Sequence, residues 1–158
     1  MGARRERWTR ARRAQANKFL ARARGLGSII LVIEDQADSL QALADVLTMC
    51  GARVLMAGDT LDARAYVGTV KIDLVVTDAA LVGESGAAFV AWLRQQPHDK
   101  GGGVAVIAIT SSADQLAGVR LGGFAAYFQK PLDLDDLCAT VGALMHPVSS
   151  PPAPARGA

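Results

Sequence analysis

The chain has 158 residues, 51% of them hydrophobic, 20% charged and 5% aromatic, which suits one compact domain and excludes collagenous, wholly disordered and disulfide-scaffold classes. No apolar run approaches the roughly 20 residues of a membrane-spanning helix. The formal charge of +2 hides a split: residues 1–27 carry nine Arg and Lys against one acid, whereas residues 28–158 carry eight basic and fourteen acidic residues.

The basic stretch 1–27 has arginines but no apolar core of a secretory signal, and too little serine for a transit peptide. It reads as a cytosolic extension, helical or disordered. Trp8, Ala11, Gln15 and Phe19 fall loosely on one side of a helix. Such an arm can bind nucleic acid or an anionic membrane through phosphate contacts. The plainer reading is a solvated or partner-bound extension, or a start site placed too far upstream.

From residue 28 to 146 short apolar runs alternate with amphipathic ones. SIILVI (28–33), ARVLMA (52–57), DLVVT (73–77), VAVIAIT (104–110) and FAAYFQ (124–129) are continuous runs rich in β-branched or aromatic residues, as in strands covered on both faces. The first helix follows Leu40, Leu43, Leu47 and Cys50, opened by Asp38 or Ser39 as a cap and closed by Gly51. Residues 60–69, 86–96 and 113–121 are the next three helix candidates. The last helix has Asp133 as its cap and Leu134, Leu137, Val141 and Leu144 on one face. Five strands alternating with five helices predict an α/β domain with a parallel sheet between two helical layers. Cys50 and Cys138 show no metal-ligand or CxxC spacing and read as buried apolar thiols in a reducing compartment. The tail 147–158, with four of the six prolines, is expected to be disordered.

Ligands of open parallel sheets sit beyond the carboxyl ends of the strands. The first run ends in Glu34 and Asp35, the third in Asp78, the fourth in Thr110 and the fifth in Lys130-Pro131. Taken singly, each residue has a plain explanation: a helix cap for Glu34 or Asp35, a turn for Asp78, a strand end for Thr110, a solvated charge for Lys130. Together they put three carboxylates, a hydroxyl and an ammonium at one edge. Carboxylates so close repel and raise one another's pKa unless a cation is present. Mg²⁺ suits such a site, because it takes a few hard oxygens and keeps waters that a phosphate can replace.

Glu34-Asp35 after IILVI, Asp78 after DLVVT, Thr110 after VIAI, and Tyr127 ahead of Lys130-Pro131 in YFQKPLDLDDL resemble the receiver domain of bacterial two-component response regulators. The resemblance covers residues 28 to about 146. It implies a flavodoxin-like, doubly wound five-stranded parallel sheet of order 2-1-3-4-5 with five flanking helices. It further implies that Asp78 accepts a phosphoryl group from a sensor histidine kinase or histidine phosphotransfer protein. By the same resemblance Asp35, Asp78 and the backbone carbonyl of Ala80 would ligate Mg²⁺, with Glu34 acting through metal-bound water. Lys130 and Thr110 would contact the phosphoryl oxygens, and Tyr127 would rotate as Thr110 moves, remodelling the face of the fourth helix, fifth strand and fifth helix for a downstream protein. Lys130-Pro131 is a candidate cis bond.

This describes a stand-alone, chemotaxis-regulator-like receiver that is cytoplasmic, has no DNA-binding output domain, and is no enzyme beyond assisting its own phosphorylation and dephosphorylation. Leu81 and Val82 stand where many receivers carry Met-Pro, so the loop after Asp78 is expected to be less rigid, while Gly86 is in place. Ala80 and Ser112, at positions that tune dephosphorylation in the family, bring no charge. A phosphorylation-silent pseudo-receiver is the lesser reading. A flavodoxin-like electron carrier conflicts with the acidic EDQAD after the first strand, which would repel an FMN phosphate. A hydrolase with Asp78 as nucleophile lacks a second acid at position 80.

Overall fold

The computed structural model describes residues 28–112, 115 and 122–145. The strands are β1 (Ile29–Ile33), β2 (Arg53–Ala57), β3 (Leu74–Asp78), β4 (Ala105–Thr110) and β5 (Ala126–Gln129), and the helices α1 (Ala37–Met49), α2 (Thr60–Thr69), α3 (Gly86–Arg94) and α4 (Leu134–Met145). A single 3₁₀ turn, His98–Lys100, follows α3. All four strand pairings are parallel and the order is β2-β1-β3-β4-β5. This is the flavodoxin-like sheet expected. Among the described residues there are four α-helices rather than five, because the fourth helix candidate, 113–121, lies outside them except for Gln115. The extension 1–27 and the tail 147–158 also lie outside them.

The period of two along each strand divides the core. Ile30, Val32, Leu74, Val76, Ile107 and Ile109 pack on one face with Leu43 and Leu47 of α1 and Leu137 and Val141 of α4. Leu31, Ile33, Val75 and Val106 pack on the other with Ala63 and Val67 of α2 and Phe89, Val90 and Leu93 of α3. Adjacent strand residues serve opposite layers, so β1, β3 and β4 are apolar on both faces until the polar residues at the carboxyl ends of β3 and β4. No described helix is long and apolar enough to cross a membrane.

Helix ends follow the expected chemistry with one exception. Ser85 and Asp59 cap α3 and α2 by accepting from the N–H groups of Ala88 and Asp62. Asp133 caps α4, accepting from Asp135 and Asp136. Gly51 closes α1 at φ 90°. Neither Asp38 nor Ser39 caps α1: the helix starts earlier, at Ala37, with Gln36 at the cap position. Glu34 Oε1 accepts the Gln36 N–H and turns the chain directly into the helix. Asp38 instead lies in the first turn, where its charge favours the positive end of the helix dipole.

The cysteines also depart from expectation. Cys50 and Cys138 are not separate thiols but form a disulfide, with Cα atoms 6.4 Å apart. Their separation of 88 positions conceals that α1 and α4 share one face of the sheet, which brings the end of α1 against the first turns of α4. Protein denatured without reductant is therefore expected to take up no thiol-alkylating reagent, and to take up two adducts after reduction. Cys138→Ser should cost about 4 kcal/mol from the released loop-closure constraint, read as a fall in Tm. Two adducts before reduction, or an unchanged Tm, would contradict the bridge.

Candidate functional site

The strand periodicity that sorts the core also builds the site. Positions 30, 32 and 34 of the first strand line and 74, 76 and 78 of the third project to the α1–α4 face, and the register that pairs Ile33 with Thr77 brings Glu34 beside Asp78. Phe128 packs on the same face, and Lys130 is two residues further on. Three strands thus deliver Glu34, Asp78 and Lys130 to one side of the carboxyl edge. Lys130 Nζ lies 3.4 Å from Glu34 Oε2 and 3.4 Å from Asp78 Oδ2. The Lys130-Pro131 bond is cis, as expected.

Glu34 and Asp78 are 1% and 7% exposed, so the ammonium is shared between two largely desolvated carboxylates. Burial foremost, then the hydrogen bond and charge of Asp78, raises the Glu34 pKa from 4.5 to about 7, against the opposing pull of the Gln36 N–H and Lys130. Burial works against the charge of Lys130, but the Glu34 and Asp78 carboxylates outweigh it and hold the ammonium above its ordinary pKa.

The remaining site residues are arranged by the loop after β3. Asp78 Oδ1 accepts the N–H of Ala80 at 2.8 Å, and Asp35 Oδ2 accepts that of Val82 at 3.0 Å. Gly86 N–H donates to Ala79 O at 3.0 Å and closes the loop's neck. A methyl group at Gly86 would stand 2.7 Å from the Asp78 carbonyl oxygen, so only glycine fits this close approach. The loop is thus held by backbone donors to the two carboxylates and by its neck at Gly86 rather than by a proline. Two of its ties were not read from sequence: Glu84 accepts from Thr60 Oγ1 and pairs with Arg64, both on α2.

Thr110 is fully buried at the end of β4, its hydroxyl donating to Ser112 O at 2.7 Å and accepting the Ser112 N–H at 3.1 Å. Tyr127 pairs in register with Ala108 and stands on the same sheet face as Thr110, 42% exposed. Among the described residues no three His, Cys, Asp or Glu side chains form a ready metal cage. Mg²⁺ needs none, since it binds through one or two carboxylates and retains waters. The donor set fits it: three acids at one edge supply hard oxygens, and the one ammonium among them leaves Glu34 with a raised pKa.

The pKa of Glu34 fixes a sign for stability. Between about 4.5 and about 7 the folded chain holds a proton that the unfolded chain has released, so this group lowers stability as pH rises through that window. In chelator-treated protein, Glu34→Gln is expected to raise Tm relative to wild type at about pH 8 and to change it little at about pH 4. Equal shifts at both pH values would contradict a buried, proton-retaining Glu34.

Comparison with known proteins agrees with this geometry. The family described as the response regulator receiver domain matches residues 30–142. Among curated proteins, the transcriptional regulatory protein TcrA of Mycobacterium tuberculosis is 35% identical over 131 residues, covering 80% of this chain and 50% of TcrA. An uncharacterized 76.5 kDa protein of Thiocystis violacea is 28% identical over 115 residues, 71% of this chain and 16% of that protein. The chain therefore spans half or less of the length of these relatives. Among solved structures, a response regulator receiver protein from Pseudomonas putida matches with a TM-score of 0.66 and 26% identity, covering 72% of this chain and 94% of that one. A CheY-like receiver domain from Methylobacillus flagellatus gives a TM-score of 0.67 at 25% identity, with coverages of 74% and 98%. With the sheet order, the acidic edge and the family match in agreement, the chain belongs to the response regulator receiver family of two-component signalling.

Proposed function

We propose that this receiver accepts a phosphoryl group on Asp78 from the phosphohistidine of a sensor histidine kinase or histidine phosphotransfer protein. The observation that carries the reading is the Lys130 ammonium, 3.4 Å from both Asp78 and the buried Glu34. In the transfer, an Asp78 carboxylate oxygen forms the new bond to phosphorus as the phosphorus–nitrogen bond of the donor breaks, and the imidazole leaves with the electron pair. Such a transfer depends on positioning and on cancelling charge at the equatorial oxygens.

Each side chain has a part in that task. The Ala80 N–H holds one Asp78 oxygen, which fixes the orientation of the carboxylate. Lys130, already beside the other oxygen, pairs with the incoming phosphoryl oxygens. Asp35, Asp78 and the Ala80 carbonyl would hold Mg²⁺, with Glu34 bonding its waters. When bound, the ion neutralises charge on the phosphoryl group. A phosphoryl group adds about two negative charges and strong acceptor oxygens. The Thr110 hydroxyl would exchange its Ser112 contacts for one of those oxygens, and the exposed Tyr127 ring would turn inward behind it.

Output then passes by protein contact through the face that carries β5 and α4. The chain acts as a signalling switch rather than as an enzyme on external substrates. We place it in the cytoplasm with its phosphodonors; the Cys50–Cys138 bridge is the feature of the fold that an oxidising compartment would favour.

With Mg²⁺ and acetyl phosphate, wild type is expected to gain one phosphoryl group by intact mass, Asp78→Ala none, and chelator-treated protein none. Lys130→Ala should slow uptake by about a hundredfold, the scale of losing one preorganised charge contact. Absence of uptake by wild type, or equal uptake by Asp78→Ala, would identify a phosphorylation-silent receiver instead.

A further inference from the structure

We propose that Glu84 is a positioning residue of the phosphoacceptor site, holding the loop 79–85 so that its backbone donors stay on Asp78 and Asp35. The inference rests on the reading of Asp78 as phosphoacceptor only where it concerns phosphorylation; the clasp itself is a matter of geometry. The loop's inner side supplies the Ala80 and Val82 N–H groups to the two carboxylates. Leu81 packs on the layer of α2 and α3, but the loop has no apolar anchor in the two residues that follow: Val82 is 87% exposed, and nothing lies within 4 Å of the space beside Gly83. Gly83, at φ +82°, is a natural pivot between Val82 and Glu84.

What stops the loop turning on that pivot is the Glu84 carboxylate. One oxygen accepts the Thr60 hydroxyl at 2.5 Å and the other pairs with Arg64 Nη2 at 2.6 Å. The Arg64 guanidinium lies over the Trp92 ring, 5.0 Å from its centroid, and Trp92 packs against Phe89. Glu84 thus fastens the loop to α2 directly and to α3 through Arg64. The Glu84 and Arg64 side chains are only 22% and 38% exposed, so the pair is partly shielded from solvent. Arg64 Nε is buried without an acceptor, so the Glu84 bond and the Trp92 face offset the guanidinium's partial desolvation. The helix cap needs none of this charge, because Ser85 already supplies it.

The test is a double-mutant cycle on the full chain with Glu84→Gln, Arg64→Gln and the pair together. Amide hydrogen exchange is read at Ala80 and Val82, with Val75 and Ile107 of the central strands as references, and the initial rate of phosphorylation by acetyl phosphate is read with Mg²⁺. Each single variant is expected to speed exchange at Ala80 and Val82 by roughly tenfold and to slow phosphorylation by a similar factor, with the double variant no worse than either single. The charge swap Glu84→Arg with Arg64→Glu should recover part of both. Unchanged exchange at Ala80 and Val82, effects that multiply in the double variant, or an equal rise at Val75 and Ile107 would overturn the proposal. If wild type accepts no phosphoryl group, the functional reading fails, while the exchange measurements still decide whether Glu84 holds the loop.

Discussion

One ammonium shared between two buried carboxylates is the constraint around which the functional edge is organised. Glu34, Asp78 and Lys130 come from the ends of three different strands, and they meet only if the sheet is parallel, in this order and in this register. A slip of one residue in any of these strands would turn its charged residue to the opposite layer. The core enforces the register, since the same slip would also exchange its two apolar faces. Packing and chemistry are therefore specified by one periodicity.

That shared ammonium also explains why the edge is tolerated. Removing carboxylates from water is costly, and a single cation offsets only part of the cost. The backbone offsets a further part, through N–H groups of Gln36, Ala80 and Val82 aimed at Glu34, Asp78 and Asp35, while burial still keeps Glu34 protonated up to about pH 7. These donors belong to the turns that leave β1 and β3, so the loop conformations are part of the electrostatic design. Three acids against one ammonium leave an excess of negative charge at this edge.

Much of this was legible in the sequence. The five apolar runs fall within two residues of the observed strands, α2 spans the stretch expected of it, and Asp133 caps α4 because an Asp before a 3.6-residue apolar period has little else to do locally. The acids at the strand ends were legible for the same reason: charged residues terminating apolar runs stand out. What was hidden depends on contacts between elements distant in the chain. No spacing links Cys50 to Cys138 or Glu84 to Arg64, because each pair is joined by the packing of two helices or of a helix and a loop. The α1 cap was misplaced because Glu34, a residue of the site, performs the turning that a cap side chain normally performs.

The disulfide has a topological side as well. By joining the end of α1 to α4, it closes residues 50–138 into a covalent ring that contains β2, β3, β4 and β5. The strand bearing Asp78 and the segment bearing Lys130 both belong to that ring, whereas Glu34 enters from outside it. A break in the backbone between Gly51 and Leu137 would leave two pieces that remain one molecule until the bridge is reduced. Asp78 and the Lys130 ammonium thus have two covalent paths between them, one through the peptide chain and one through sulfur.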